Sequence, residues 1–213
     1  MRPFRIYLLL LICATLFAAW PPTPRQEAGL PPLEDLLPHI TQVPQRPRVL
    51  GYERHLFGTG WAPAGGCTVR EATLADAGGH LSDCRVTGGT GTDPYTGDPL
   101  NLGRQVEIDH ILPLSAAWDL GAHRWDSARR EAFANDPLNL VATSRAANRE
   151  KSDHLPTGWL PGDRGAHCWY ARRLALVAAT WEIPLPAAEL KAMRRACQSR
   201  VPGGDWLGLS PDP

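Results

Sequence analysis

The stretch of residues 107–151 constrains this chain more than any other. It opens EIDHILPLS (residues 107–115) and closes DPLNLVATSRAANREKS (residues 136–152). Residues 106–108 are short and rich in β-branched side chains. They predict a strand that hands an adjacent Asp109–His110 pair to the loop where the strand ends, before Pro113. Residues 138–142 predict a second strand. A helix beginning near Thr143 or Ser144 and stopping before Pro156 follows it. Two arms and a trailing helix make a small frame, with a carboxylate and an imidazole on its first arm.

The dipeptide alone is a weak signal, because Asp153–His154 repeats it. That second copy follows the helix, and no asparagine lies downstream of Asn148 to complete a site. The first copy has a strand before it and Asn139 in the opposite arm. On the helix, Asn148, Lys151 and Ser152 are related by i, i+3 and i+4 and share one face, with Arg145 a turn earlier. Arg145, Arg149 and Lys151 also read as an ordinary solvated helix face.

In the order Asp109–His110, Asn139, Asn148 and Lys151, the chain resembles the HNH (ββα-metal) nuclease motif. NREKSDHLP resembles the matching segment of the HNH domain in CRISPR effector nucleases. The run from Cys67 to Cys197, including DPYTG (residues 93–97) and REAFANDPLNL (residues 130–140), is similar to the secreted, cysteine-bearing HNH endonucleases of bacteria. The resemblance implies His110 as general base, Asp109 and Asn148 as metal ligands, and Asn139 as the asparagine that ties the arms and orients the base. It also implies Lys151 as a phosphate contact, with Arg145 and Arg149 as further nucleic-acid-binding residues. The chemistry suits these types. A divalent ion held by few protein oxygens keeps positions open for water and phosphate, and a neutral imidazole takes a proton near pH 7. Many HNH enzymes carry histidine at the place of Asn148. An amide oxygen beside a carboxylate favours Mg²⁺, with Mn²⁺ as the alternative, over softer metals.

The first 20 residues read as a signal peptide or N-terminal anchor. Arg2 and Arg5 precede an apolar run over residues 6–20, shorter than the about 20 residues of a membrane span, and no clean cleavage pattern follows. An uncleaved anchor, tethering the chain to a membrane through residues 6–20, is the alternative to full secretion. Setting aside Cys13 in that run leaves Cys67, Cys84, Cys168 and Cys197, an even number, as expected of an exported chain. No C-x-x-C pair is present, which argues against a zinc ribbon. Three pairings are open. Cys67–Cys84 and Cys168–Cys197 are expected, because each closes a local loop beside the hairpin. The chain carries 22 basic and 22 acidic residues, so losing Arg2 and Arg5 leaves 20 against 22. With no basic surplus, contact with nucleic acid is expected to be weak, salt-sensitive and non-specific.

Residues 21–50 hold many prolines and predict a linker, with at most a short helix around residues 33–37. A catalytic domain is expected over residues 51–203 and a frayed tail over 204–213. Tyr52, Phe57 and Trp61 read as core or lid packing rather than base-stacking residues. Periodicity does not decide between strand and helix for residues 67–74. Residues 84–92 predict a strand leading into the DPYTG turn, and residues 100–102 and 106–108 are expected to extend the same small sheet. The glycines there make no phosphate loop, since no Gly-Lys-Ser/Thr follows. Helices are expected over 115–120 and 127–135, with Trp118 and Trp125 as core contacts and His123 exposed. Further helices are expected over 166–181 and 186–198, the last amphipathic with Arg194 and Arg195 outward.

The expectation is thus an α+β fold, a small antiparallel sheet with an embedded ββα-metal (HNH) finger, backed by C-terminal helices and stapled by two disulfides. Its expected function is a secreted, divalent-metal-dependent endonuclease acting on DNA, without a small-molecule cofactor. An RNA-preferring or non-specific nuclease, and a secreted binding module without turnover, are the rival readings.

Overall fold

The computed structural model describes residues 29–104 and 106–198. The leader, the first residues of the expected linker and the tail from residue 199 lie outside them. Among the described residues no helix is long and apolar enough to cross a membrane.

The expected linker is the first correction. Leu33, Leu36, Leu37 and Ile40 recur at i, i+3, i+4 and i+7, one helical stripe, and all four are buried. They sit on α1 (Leu33–Leu36) and a 3₁₀ turn, Leu37–His39, and pack into the main core. β1 (Gln42–Val43) follows and pairs in parallel with a strand near the C-terminus. The prolines punctuate this segment without freeing it: Pro32 caps α1, and Pro38 falls in the first positions of the 3₁₀ turn, where an amide donor is not needed.

A second 3₁₀ turn, Arg54–Phe57, leads to β2 (Pro63–Ala64) and β3 (Cys67–Thr68), an antiparallel pair, and then α2 (Val69–Asp76). The undecided segment is therefore a strand that becomes a helix. β4 (Gly79–Ser82), β5 (Arg85–Thr92) and β6 (Pro99–Asn101) form a three-stranded antiparallel sheet. Its first hairpin turns through Asp83 and Cys84, both at positive φ (48° and 59°), as a primed two-residue turn demands. The DPYTG turn joins β5 to β6, with Gly97 at φ 79° donating its N–H to the Asp93 carbonyl.

β7 (Val106–His110) does not extend that sheet. It pairs antiparallel with β8 (Leu140–Ser144), which runs directly into α5 (Arg145–Lys151), capped by the Ser144 hydroxyl. Between the arms lie α3 (Leu114–Asp119), α4 (Ser127–Ala134) and a 3₁₀ turn, Pro137–Asn139. Both arms are displaced from the sequence expectation. Asp109 and His110 lie on the strand, opposite Val141 and Leu140, rather than in a loop. The second arm starts at Leu140, because Pro137 and the Asp136 side chain, which accepts the Leu138 N–H, hold the preceding residues in a turn.

α6 (His167–Thr180), β9 (Leu185–Pro186) and α7 (Ala187–Gln198) close the fold, with β9 pairing β1. Two cores result. The larger gathers Tyr95, Trp159, Trp169, Tyr170 and Val141; the smaller holds Leu74, Leu100, Leu102, Ile108, Leu140 and Ala142. Both expected disulfides are present, Cys67–Cys84 and Cys168–Cys197, 17 and 29 residues apart in sequence. The architecture is a mixed α/β arrangement of small, mostly antiparallel sheets.

Candidate active site

Successive side chains on a strand leave opposite faces, so the adjacent Asp109 and His110 part company. The two cores show the division. Val141, cross-strand from Asp109, joins the larger core, whereas Leu140, cross-strand from His110, joins the smaller one. The expectation of an imidazole beside the carboxylate is corrected accordingly: the pair is split across the hairpin.

On the first face, Asp109 is buried and engaged through one oxygen. Its Oδ2 accepts the Tyr95 hydroxyl at 2.6 Å and lies 2.8 Å from the Lys151 ammonium. Its Oδ1 has no hydrogen-bond partner among the described residues. Lys151 also donates to the His110 carbonyl at 2.7 Å and is fully buried. Burial pulls its pKa down, and Asp109 opposes that pull. The expected phosphate contact is therefore corrected. On α5 the lysine points into the protein, and its stem and charge are spent on Asp109 and the β7 backbone. Burial, reinforced by Asp109, pushes the Tyr95 hydroxyl well above its ordinary value, so it stays a donor. The Tyr95 ring is fully buried and edge-on to Trp159 at 5.0 Å.

Asn148 meets Glu107 rather than Asp109, donating through Nδ2 to Oε2 at 2.7 Å. Arg145, more than half exposed, takes the other Glu107 oxygen at 2.8 Å. Glu107 shares the strand face of Asp109, two residues before it. Arg149 is exposed. Asn139 is wholly buried and spans the arms. Its Oδ1 accepts the Leu112 N–H at 2.8 Å, its Nδ2 donates to the Leu112 carbonyl at 3.2 Å, and its own carbonyl accepts the Ile111 N–H. Asp93 locks the DPYTG turn to the start of α5 by accepting from Thr143 Oγ1, the Ser144 N–H and the Tyr95 N–H.

On the second face, His110 Nε2 lies 2.9 Å from the Ala134 carbonyl. A carbonyl can only accept, so Nε2 carries the proton and Nδ1 holds the free lone pair. Trp61 stacks on the ring at 6.1 Å with planes 12° apart. Burial drops the imidazole pKa to about 3; the Ala134 contact opposes this, and the Arg54 and Lys151 charges add to it. His110 is thus neutral at all ordinary pH. It lines a cleft of about 430 Å³ with Arg54, Thr59, Trp61, Leu114 and Asn135. Arg54 is exposed on this cleft and makes no ion pair among the described residues.

Sequence reasoning missed Trp61, Arg54, Glu107 and Tyr95 as site residues. Tyr95 stands in the quoted DPYTG and Glu107 opens the quoted EIDH, so both carried a positional signal. Trp61 and Arg54 reach the site only through a loop remote in sequence. The second Asp–His copy is structural: Asp153 pairs with Arg46 at 2.8 Å, and His154 Nδ1 lies 3.0 Å from the Lys151 carbonyl.

Residues 80–195 match the family model described as GmrSD restriction endonucleases, C-terminal domain. An uncharacterized secreted protein of Arthroderma benhamiae is 33% identical over 177 residues, covering 81% of this chain and 86% of that protein. That relative is fungal, so the likeness is not confined to bacteria. No solved structure matches the chain. The matched span contains β7, β8, α5 and every residue of the Asp109 face. The chain belongs to the family of the GmrSD restriction endonuclease C-terminal domain.

Proposed function

We propose that this chain is an exported nuclease that hydrolyses phosphodiester bonds in DNA, with His110 as the general base. The observation that carries the reading is the fixed tautomer of His110. With Nε2–H held by the Ala134 carbonyl, Nδ1 is an acceptor without a hydrogen-bond partner among the described residues, on a ring that lines a cleft. A water hydrogen-bonded to Nδ1 loses its proton there as its oxygen attacks phosphorus in line. The imidazolium so formed is disfavoured in an empty cleft, and the negative phosphodiester offsets that penalty when it binds. Arg54, exposed on the cleft, would hold a phosphate oxygen, and Arg149, exposed on α5, would be a further contact to the nucleic acid. The family membership supports a nuclease. The hairpin β7–β8 running into α5 supports the ββα-metal finger. Two disulfides and the secreted fungal relative support an extracellular destination.

A divalent metal belongs to this proposal. Asp109 and Asn148 are each held through one atom, which leaves Asp109 Oδ1 and Asn148 Oδ1 without hydrogen-bond partners among the described residues. Tyr95, Lys151 and Glu107 then act as the supports that orient the two ligands. Both free atoms are hard oxygens, which fits Mg²⁺ or Mn²⁺. An ion held there would neutralise negative charge on the Asp109 face, the face of the hairpin opposite His110.

Plasmid nicking in Mg²⁺ tests the reading, with EDTA and His110→Gln as controls. Glutamine retains a donor for the Ala134 carbonyl but supplies no base. The variant is expected to lose at least about 100-fold in rate, the lower range for a general base. Equal nicking by the variant would overturn the assignment of His110. Rapid loss of total RNA beside an intact plasmid would overturn the choice of DNA.

A further inference from the structure

Away from the His110 cleft, a polar cavity of about 360 Å³ opens between α2, β5 and the start of β7. Arg70, Arg85 and Arg104 line it with Glu71, Cys84 and Val106. Arg85 and Arg104 are exposed and make no side-chain hydrogen bond or ion pair among the described residues. Among the described residues Arg70 has only a long contact to Glu71, at 3.4 Å, and Glu71 is also engaged by the Thr68 hydroxyl. Three guanidinium groups therefore face one carboxylate. The arrangement is built rather than loose. The Cys67–Cys84 disulfide ties the β4–β5 turn to β3, and Arg85 is the first residue after that turn.

We infer that this cavity is a second anion site, which binds phosphates of the nucleic-acid backbone away from the bond that is cut. The placement of β7 sets the distance. Val106 on the cavity wall and His110 are four residues apart on one strand, about 13 Å at about 3.3 Å per residue. Bases repeat every 3.4 Å along a DNA strand, so the cavity meets a backbone about four nucleotides from the His110 cleft. Guanidinium forks match phosphate oxygens two at a time, which suits a charged backbone and carries no base sequence. The balanced overall charge makes such a local cluster the means of holding a polyanion. The inference rests on the nuclease reading for its substrate, but the binding it describes can be measured without cleavage.

The experiment is fluorescence anisotropy of the full chain with a phosphorothioate DNA duplex of about 20 base pairs, at several salt concentrations. Arg85→Ala/Arg104→Ala is compared with wild type, and near-identical thermal melts confirm that the surface change leaves the fold intact. Each lost phosphate contact removes about 0.9 from the slope of log affinity against log salt. At 0.1 M salt that is about eightfold in affinity. The double variant is expected to bind about 10- to 100-fold more weakly, with a slope shallower by about 2. Unchanged affinity and slope would overturn the site while leaving plasmid nicking, and the nuclease reading, untouched. Arginine-dependent binding by a chain that nicks nothing would sustain the site and sink the nuclease reading. Tripolyphosphate competing at the duplex's own affinity would replace a backbone site by one for a small free polyphosphate, and would overturn the inference.

Discussion

Acidification should destabilise this fold through His110 in particular. The imidazole titrates at about 3 when folded and near 6.5 in an unfolded chain, so the unfolded state takes the proton first. Stability from this group is therefore complete above pH 6.5 and drains as pH falls towards 3. The unfolded chain holds about half a proton more than the folded one at pH 6.5 and nearly one more below about pH 5.5, so from pH 7.5 to 4.5 the difference integrates to about two pH units. At about 1.4 kcal/mol per pH unit, two units remove about 3 kcal/mol. That is a large part of the about 5–15 kcal/mol that holds a typical domain together. Urea denaturation at pH 7.5, 6.5, 5.5 and 4.5, with disulfides intact, measures it. His110→Gln isolates it, because glutamine keeps a donor for the Ala134 carbonyl and does not titrate. The carboxylates act alike in both proteins, so the wild type should lose about 3 kcal/mol more than the variant across that range. Parallel stability curves for the two would refute the buried, neutral imidazole.

Replacing Lys151 by Met should leave Asp109 buried with, among the described residues, only the Tyr95 hydroxyl as a polar partner. A loss of about 3–5 kcal/mol is expected, read as a melting temperature lower by about 10 °C; a change under about 2 °C would count against the buried pair. Removing the Cys168–Cys197 disulfide by double alanine substitution should lower urea stability by about 3–4 kcal/mol on the loop-entropy model for a 29-residue separation. Unaltered stability would mean that α6 and α7 hold together without it. Arg54→Ala should slow plasmid nicking by about 10- to 100-fold with no change in melting temperature, since the side chain is exposed and without an ion pair among the described residues. An unchanged rate would remove Arg54 from the cleft's chemistry.

Local signals were legible in the sequence and long-range ones were not. The order of strand, strand and helix could be read from residues 106–152 because turn residues and apolar periods mark each element. Both disulfides followed from parity and short loops. The first arm runs two residues further because polar Asp109 and His110 look like loop residues until cross-strand pairing satisfies their backbone, and the second starts two residues later because Pro137 and Asp136 hold a turn. The leucine stripe from Leu33 to Ile40 was hidden by prolines, whose frequency suggests a linker even where they cap short helices. Lys151 read as a phosphate contact or a solvated charge because nothing local tells that Asp109 and a strand carbonyl await its ammonium. The Trp61 stack on His110 joins residues 49 apart, beyond the reach of any periodicity.

The hydroxyl of Tyr95 carries the deepest consequence. It hangs from a ring wedged among Trp159, Trp169 and Tyr170, and by donating to Asp109 Oδ2 it fixes the direction of Oδ1, which has no partner among the described residues. If Asp109 serves the proposed reaction, the interior is a mould for it as well as a support for the fold. A shift of an ångström in how those tryptophans seat themselves would re-aim Asp109 without touching the cleft, so on the proposed reading its tuning can be sought from the inside out.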